Sequence, residues 1–591
     1  MINKVPYKFL TEIKALLSKF GNIRDLNNSL EDRTGIIDFF KSPPDLEEFE
    51  QFLDGLYIDN IAQDLGDFQT PIYLTDKICK YLVDTGFAPD IVIEPTCGEG
   101  NFVISAIKIF PALKYIYCID VQSKYEWLFK LNILKLSFAQ NLPAKIEFWR
   151  DNIFEHRLSH RFKKLLNAEG KRLLILGNPP WVTCSKLSVL NSNNLPIKAN
   201  IKHHKGIDAI TGKGNFDIAE NIILRVIQQL CDKKGKIAML CKSSVIKNIV
   251  KDIPNLNLKI SNIQAMLIDA KREFNINAEG ALLVADINID GEGFCSVSSL
   301  YEPNIQLRKY GWLDNKFVSD IELYKENAYM DGHSPVEWRQ GVKHDAEKIM
   351  VLRFTNGGLL NGLQESVEVE AELLYPFIKG SELVKKQVIR DTVNKIIITQ
   401  TSPQEDTIHI KSKHPRLWNY LVSHSRYLDK RKSIIYKKRP RFSIFGIGDY
   451  SFKPYKVAIS GLYKEPKFSL IFPSDNKPVM LDDTCYYLSF DSLNEAFFTW
   501  VLLNRDEVKK FLSSVVFLDS KRPYTKEILM RIDISKLAVG TSFDDIISAY
   551  NKRQEKYLEF EFKETEFVNF KNSLVRGKLS CLELFDAQPI A

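Results

Sequence analysis

The sequence predicts an α/β protein: a doubly wound, mostly parallel sheet ending in an antiparallel hairpin, followed by a separate β-leaning region. Three observations carry that prediction. Between about residues 66 and 290, short apolar runs alternate with helix-length stretches, the pattern of strand–helix units stacked into a parallel sheet. The last two runs of that region are joined without a long helix, which fits a hairpin rather than a crossover. From about residue 300 the chain turns irregular, β-leaning and rich in Gly/Pro turns, as a second domain would.

Taken in order, residues 1–65 read as a helical, acidic-amphipathic segment broken at Pro43-Pro44. The expected strands of residues 66–295 are IVIEP (91–95), YIYCID (115–120), KIEFW (145–149), LLILGNPP (173–180), GKIAMLCK (235–242), LKISNIQAMLID (258–269) and ALLVADI (281–287). Helices are expected between them at Asn101–Phe110, Ser123–Phe138 and Asp217–Cys231. The connection from Thr183 to Gly214 shows no clean period, and structureless stretches of that length inside a domain are usually functional. Residues 296–540 form the β-leaning region, and residues 541–591 turn helical again.

At 591 residues the chain exceeds one hydrophobic core, so two or three domains are expected. The composition, 45% apolar and 26% charged with no long uncharged apolar run, excludes a helical membrane protein, and the N-terminus has no signal-peptide core. Nine cysteines without a CxxC pair argue against both a zinc site and a disulfide framework; they fit a cytoplasmic protein without a metal. The net charge of +7 is modest, but it is unevenly spread. From Arg426 to Lys464 there are 11 Lys/Arg against two acids, interleaved with eight Tyr and Phe. Such a stretch suits phosphate neutralisation, and Arg431, Lys432, Lys437, Lys438, Arg439 and Arg441 are its candidate DNA contacts. A solvated strand-rich surface is the competing reading.

In an open parallel sheet, ligands bind beyond the carboxyl ends of the strands where strand order reverses. Glu94-Pro95-Thr96-Cys97-Gly98-Glu99-Gly100-Asn101-Phe102 lies at such an end, and Gly98 and Gly100 permit a tight turn close to a ligand. Asp120 ends the second run, where a carboxylate can accept from both ribose hydroxyls of a nucleoside. Asp151 follows the third, where it can accept from an adenine amino group. The fourth ends in Asn178-Pro179-Pro180-Trp181. An amine conjugated to a purine is a poor nucleophile. The Asn178 amide oxygen and the Pro179 carbonyl can each accept one of its N–H groups and aim its lone pair. Pro179 and Pro180 stiffen the loop, so the acceptors are placed beforehand. Trp181 could stack on a base drawn out of a duplex.

On these residues the chain resembles the amino-methylating DNA methyltransferases of restriction–modification systems, in the gamma-type order: cofactor half, catalytic half, then recognition domain. The resemblance covers residues 66–290, within an expected catalytic domain of 66–295. It implies a Rossmann-like class I methyltransferase core, with a mostly parallel seven-stranded sheet and a C-terminal antiparallel hairpin, plus a β-rich C-terminal target recognition domain. It implies S-adenosyl-L-methionine as cofactor, held by Thr70 (in Phe68-Gln69-Thr70-Pro71), Glu94, Thr96, Gly98, Gly100, Asp120, Asp151 and Asn178. It implies N6-adenine as target, with Asn178 to Trp181 as the catalytic motif. Gly214-Asn215-Phe216-Asp217 resembles the motif lining the cofactor pocket. Phe274, in Arg272-Glu273-Phe274, resembles the aromatic on the other side of a flipped base; core packing is its alternative. Trp181 stands where Tyr or Phe is common in the family, offering an indole N–H instead of a hydroxyl. Trp338–Lys343, Phe377–Ser381 and Phe517–Pro523 resemble pieces of the recognition domains fused to such enzymes.

The expected partners are double-stranded DNA and a separate cognate restriction endonuclease. A fused restriction–modification enzyme is the nearest rival, but about 65 residues before the first motif are too few for a nuclease domain. N4-cytosine, RNA or a protein amide would be alternative substrates for an NPP-type loop. A non-catalytic DNA-binding subunit is the rival from another class.

Overall fold

The computed structural model describes residues 7–55, 68–168, 170–182, 217–230, 232–355, 358–437, 439–552 and 562–586. The connection from 183 to 216 therefore lies outside the described residues, and with it Gly214, Asn215 and Phe216. The chain divides into two compact units, residues 1–317 and 318–591.

The first unit is built on one sheet: β1 (Ile91–Glu94), β2 (Tyr115–Asp120), β3 (Lys145–Arg150), β4 (Leu173–Gly177), β5 (Gly235–Lys242), β6 (Ile260–Ile268), β7 (Gly280–Ile287), β8 (Phe294–Ser299), β9 (Glu302–Leu313) and β10 (Lys316–Val318). Their order across the sheet is β10-β9-β8-β6-β7-β5-β4-β1-β2-β3. The seven strands from β6 to β3 are the expected Rossmann-like core. β1 runs parallel to β2 and β4, β2 to β3, and β4 to β5, while β7 is antiparallel to both β5 and β6. Every residue of β1, β2 and β4 is buried, which is why these segments read as unbroken apolar runs: helices cover both faces.

The sheet does not stop at β7. β8 pairs in parallel with β6 from Ile263↔Cys295 to Leu267↔Ser299, and β9 returns antiparallel along β8. Without them β6 would present an unpaired edge. Residues 296–317 therefore belong with the first unit, where the sequence reading ended that domain at 295.

The N-terminal helices α1 (Tyr7–Leu17), α2 (Ile23–Thr34) and α3 (Pro43–Gly55) belong to the same unit. Between α2 and α3 the chain passes along the open edge of β3, with Ile37 N–H donating to the Ile146 carbonyl at 2.9 Å and Ile146 N–H to Gly35 at 2.8 Å. Gly35 (φ 72°) is required there, because a Cβ would fall 2.1 Å from the Ala144 carbonyl oxygen. Phe39, Phe40 and Phe49 are buried with Trp127 of α6 (Ser123–Ser137). There Lys130, 1% exposed, is held by Glu126 at 2.6 Å and by the Phe39 carbonyl. Residues 7–55 thus close one side of the sheet. The other helices that matter for the site are α4 (Ile72–Asp84), α5 (Asn101–Ile109), α7 (His160–Leu166), α8 (Ile218–Gln229), α9 (Ser243–Leu256) and α10 (Ala270–Phe274).

The second unit holds two five-stranded sheets and a helical C-terminal part. With β11 (Arg339–Gln340), β12 (Val351–Thr355), β13 (Gly358–Leu360), β14 (Leu374–Ile378), β15 (Val388–Ile389), β16 (Asn394–Ile397), β17 (Tyr455–Ser460), β18 (Phe468–Ile471), β19 (Met480–Leu481) and β20 (Cys485–Phe490), the orders are β11-β20-β17-β18-β15 and β13-β12-β16-β14-β19. The helix Leu493–Leu503 is buried almost all round, and helices Phe543–Asn551 and Glu564–Asp586 follow. Among the described residues no helix is long and apolar enough to cross a membrane.

Candidate active site

The carboxyl ends of β1, β2, β3 and β4 meet at one cavity of about 530 Å³. Its lining includes Thr70, Glu94, Thr96, Gly98, Asp120, Asp151, Asn178, Pro179, Pro180 and Trp181. Four stretches separated in sequence thus reach one place, because strand order reverses between β1 and β4.

After β1 the chain turns through Gly98 (φ 50°) into α5, with Gly100 (φ 83°) as its N-cap. Both glycines hold a positive φ, and at Gly100 packing demands a glycine as well. A Cβ on Gly98 would lie 2.6 Å from the Gln69 amide oxygen, and one on Gly100 would lie 2.5 Å from the Phe129 ring. Gln69 accepts Glu99 N–H at 3.1 Å, so FQTP and the glycine-rich turn are one substructure. The Asp120 carboxylate accepts Gly98 N–H at 2.9 Å through one oxygen and Gln122 N–H at 3.0 Å through the other.

Glu94 is 2% exposed, and burial, with Cys118 and Asp120 nearby, holds its carboxyl well above the usual carboxylate range. Its Oε2 and the Thr96 hydroxyl are buried polar atoms without a hydrogen-bond partner among the described residues. Such atoms are costly to leave empty, and both lie on the cavity wall. A positively charged, hydrogen-bond-donating ligand here would stabilise the carboxylate form of Glu94 that burial and Asp120 disfavour.

Asp151 is oriented by a residue that nothing in the sequence singled out. His156 Nδ1 lies 2.7 Å from the Asp151 carboxylate, and its Nε2 lies 2.8 Å from the Tyr117 hydroxyl. His156 is 2% exposed. With Nδ1–H given to the carboxylate, Nε2 is free to accept the phenol, whose oxygen in turn accepts Ser159 N–H at 3.1 Å. Beside Asp151, Ile153 and Phe154 supply apolar wall.

The Asn178–Trp181 loop follows β4. The Asn178 amide nitrogen donates to the Thr70 hydroxyl at 3.1 Å and to the Phe68 carbonyl at 3.3 Å, and its amide oxygen accepts the Trp181 indole N–H at 2.8 Å. Thr70 also ties the loop to the start of α5, since its carbonyl accepts the Asn101 amide at 2.9 Å. Trp181 and Phe274 come together, as a shared stacking role requires, but they already touch. Their centroids are 5.4 Å apart, edge to face, and they are 7% and 8% exposed. No slot for a base exists between them in this arrangement, and Phe274 packs in the core against Phe68.

Asp217 caps α8, accepting Ala219 N–H at 3.2 Å, and pairs with Lys242 at 2.5 Å.

The basic stretch is not one surface. Arg431 points inward: its guanidinium donates to the carbonyls of Leu428 at 2.8 Å, Ser443 at 2.7 Å and His344 at 3.2 Å, and lies 3.7 Å from the Tyr436 ring centre. Arg441 is exposed but paired with Asp429 at 3.1 Å, and Arg439 reaches the Gln404 side chain at 3.3 Å. Lys432 and Lys437 are exposed; Lys438 lies outside the described residues. Three backbone carbonyls take N–H groups of Arg431 from Nε and Nη1, and the Tyr436 ring lies against it, so it faces the protein more than solvent. Gly341, Gly380 and Arg522, one from each of Trp338–Lys343, Phe377–Ser381 and Phe517–Pro523, meet around the β19–β20 turn. A Cβ on Gly341 would strike the Asp482 carbonyl at 2.0 Å, one on Gly380 the Ser460 hydroxyl at 2.5 Å and the Thr484 hydroxyl at 2.9 Å, and Arg522 donates to the Asp483 carbonyl at 3.0 Å. What these motifs share is a packing centre of the second unit.

No protein-family model matches the chain. The chain is 38% identical over 491 residues to the type II methyltransferase M.NspV of Nostoc sp. (strain ATCC 29411 / PCC 7524), which spans 81% of this chain and 98% of that protein. Among solved structures it is similar to the type IIL restriction-modification enzyme MmeI in complex with DNA (TM-score 0.45, 11% identity, 90% of this chain and 73% of that one). It is also similar to the type IIG restriction endonuclease BpuSI (TM-score 0.33, 13% identity, 90% and 67%).

Proposed function

The chain belongs to the type II restriction–modification methyltransferases and is a DNA methyltransferase, and from that premise we propose that it methylates the N6 amine of an adenine in a short duplex site, with S-adenosyl-L-methionine as donor. The observation that carries the reading is the Asn178 carboxamide. It is held by three hydrogen bonds on the wall of the cavity that Glu94, Asp120 and Asp151 also line.

The residues present fit that cofactor. Glu94 Oε2 and the Thr96 hydroxyl are buried atoms in want of a partner, and a ligand with an ammonium and a sulfonium group would favour the charged form of Glu94 that burial disfavours, beside the Asp120 carboxylate. Asp120 would hold the ribose hydroxyls and Asp151 the adenine amino group, against Ile153 and Phe154. Bound there, the cofactor supplies a methyl group made electrophilic by its sulfonium.

The chain's own residues then position the nucleophile. The second lone pair of Asn178 Oδ1 and the Pro179 carbonyl accept the two N–H groups of the target amine, turning its lone pair toward the donor. Pro179 and Pro180 limit the loop's freedom, so little ordering remains for the moment of reaction. The target base must leave the helix to reach this cavity. The exposed Lys432 and Lys437 are candidate phosphate contacts, and a separate endonuclease reading the same site is the expected partner.

Modified bases should be mapped in DNA from cells expressing this chain alone. N6-methyladenine at one fixed short sequence is the expected result. N4-methylcytosine at such a site would overturn the base assignment, and unmodified DNA would overturn the whole reading.

A further inference from the structure

We propose that Trp181 is a positioning residue that acts through its indole N–H: it locks the Asn178 carboxamide in the orientation that presents an oxygen lone pair to the target amine. This deepens the methyltransferase reading above and rests on it.

The Asn178 amide has two chemically different ends, and each meets a partner that accepts only that end. Its nitrogen faces the Phe68 carbonyl, which can only accept, while its oxygen faces the Trp181 indole, which can only donate. A flip would set N–H against N–H and oxygen against oxygen. The indole uses one lone pair of Oδ1 and leaves the second. Without the indole, the remaining bonds, at 3.1 and 3.3 Å, anchor the nitrogen alone.

The position of the ring is itself enforced. Its six-membered half lies on Gly280 at the start of β7, where a Cβ would come 2.6 Å from Cη2 and 3.1 Å from Cζ3. Phe274 packs against it, ring centres 5.4 Å apart and steeply inclined. Seated there, the indole directs Nε1, which sits near the backbone side of the ring system, at the residue three positions earlier. A tyrosine carries its hydroxyl at the far end of the ring, toward Gly280, and has no donor near Asn178. The Trp at this position therefore changes the loop's chemistry as well as its stacking area.

The test compares the parent with Trp181→Phe and Trp181→Tyr, reading turnover on a duplex carrying the mapped site and base extrusion on a second duplex in which 2-aminopurine, which has no N6 amine to methylate, replaces the target adenine. The expected result is a fall in kcat of about tenfold in both variants, the scale of one oriented hydrogen bond. The KM for DNA, cofactor affinity and 2-aminopurine signal should stay within about twofold. A kcat for Trp181→Phe near that of the parent would overturn the proposal. So would a loss confined to KM with a weakened 2-aminopurine signal, which would mark stacking instead. A second measurement needs no substrate turnover. Of the seven indole N–H signals in a ¹⁵N spectrum, the one that shifts in Asn178→Ala should be slow to exchange in the parent. Rapid exchange of that signal in the parent would overturn the hydrogen bond, whether or not the DNA reading stands.

Discussion

Replacing Arg431 by alanine separates a structural cation from a DNA-binding one. In the folded chain this guanidinium serves three carbonyls drawn from Leu428, His344 and Ser443 and covers the Tyr436 ring. Hydrogen bonds from a charged donor are worth about 1.5–3 kcal/mol each when a partner is removed. The site is only half-buried, so water re-solvates part of what alanine uncovers, and the sum is well below three full bonds. A net cost of about 2–4 kcal/mol follows, with the ring interaction contributing roughly 0.5–1 kcal/mol of it. For a unit of this size that corresponds to a fall in Tm of roughly 5–10 °C. Thermal unfolding followed by circular dichroism measures it. Lys432→Ala and Lys437→Ala should unfold within about 0.5 kcal/mol of the parent, yet each should reduce the slope of log affinity against log salt by about 0.9 for every phosphate left unneutralised. Arg431→Ala with an unchanged Tm and a reduced salt slope would refute the reasoning and return Arg431 to the DNA surface.

Asn178→Ala should lower kcat by at least about a hundredfold, as loss of a pre-placed polar group at a reacting centre does, with cofactor affinity retained in equilibrium dialysis; near-normal turnover would remove Asn178 from the chemistry. For Glu94, the folded carboxyl is held above its unfolded value by burial, so its stabilising contribution is present below the ordinary carboxylate range and is lost as pH rises through the folded value. Glu94→Gln should therefore melt higher than the parent at pH 8 and level with it near pH 4. Cofactor affinity, rising with pH in the parent as the carboxylate forms, should become weak and flat; a parent affinity that does not change with pH would contradict the role. His156→Phe should weaken cofactor binding by about tenfold through a loosened Asp151, leaving DNA affinity unchanged. Calorimetric titration of both ligands would show it, and equal losses for the two would point to misfolding instead.

The strand ends were legible because each couples a buried apolar run to the turn that directly follows it. Glu94, Asp120, Asp151 and Asn178 each sit at or just past such an end, so their order along the chain and the α/β pattern together placed them around one cavity. The extension by β8 and β9 was not legible. The first seven residues of β9 are exposed, Ile305 and Leu307 among them, so the strand is set by its backbone bonds to β8 and not by a buried face. His156 was silent for a similar reason. A single histidine in a loop says nothing until Tyr117 and Asp151 stand on either side of it.

By itself, then, the sequence determined the fold class, the order of the motifs and the identity of the side chains at the strand ends, all properties of neighbouring residues and of a period. Only the tertiary structure decided which way long side chains point. Arg431 lies in a run of cations, yet His344, 87 residues away, and Ser443, 12 away, draw it inward. The Trp181 indole is aimed at Asn178 because the sheet brings Gly280 beneath its ring. A charge or an aromatic face is available to a ligand only if the rest of the chain has left it free, and that depends on tertiary neighbours no local pattern encodes.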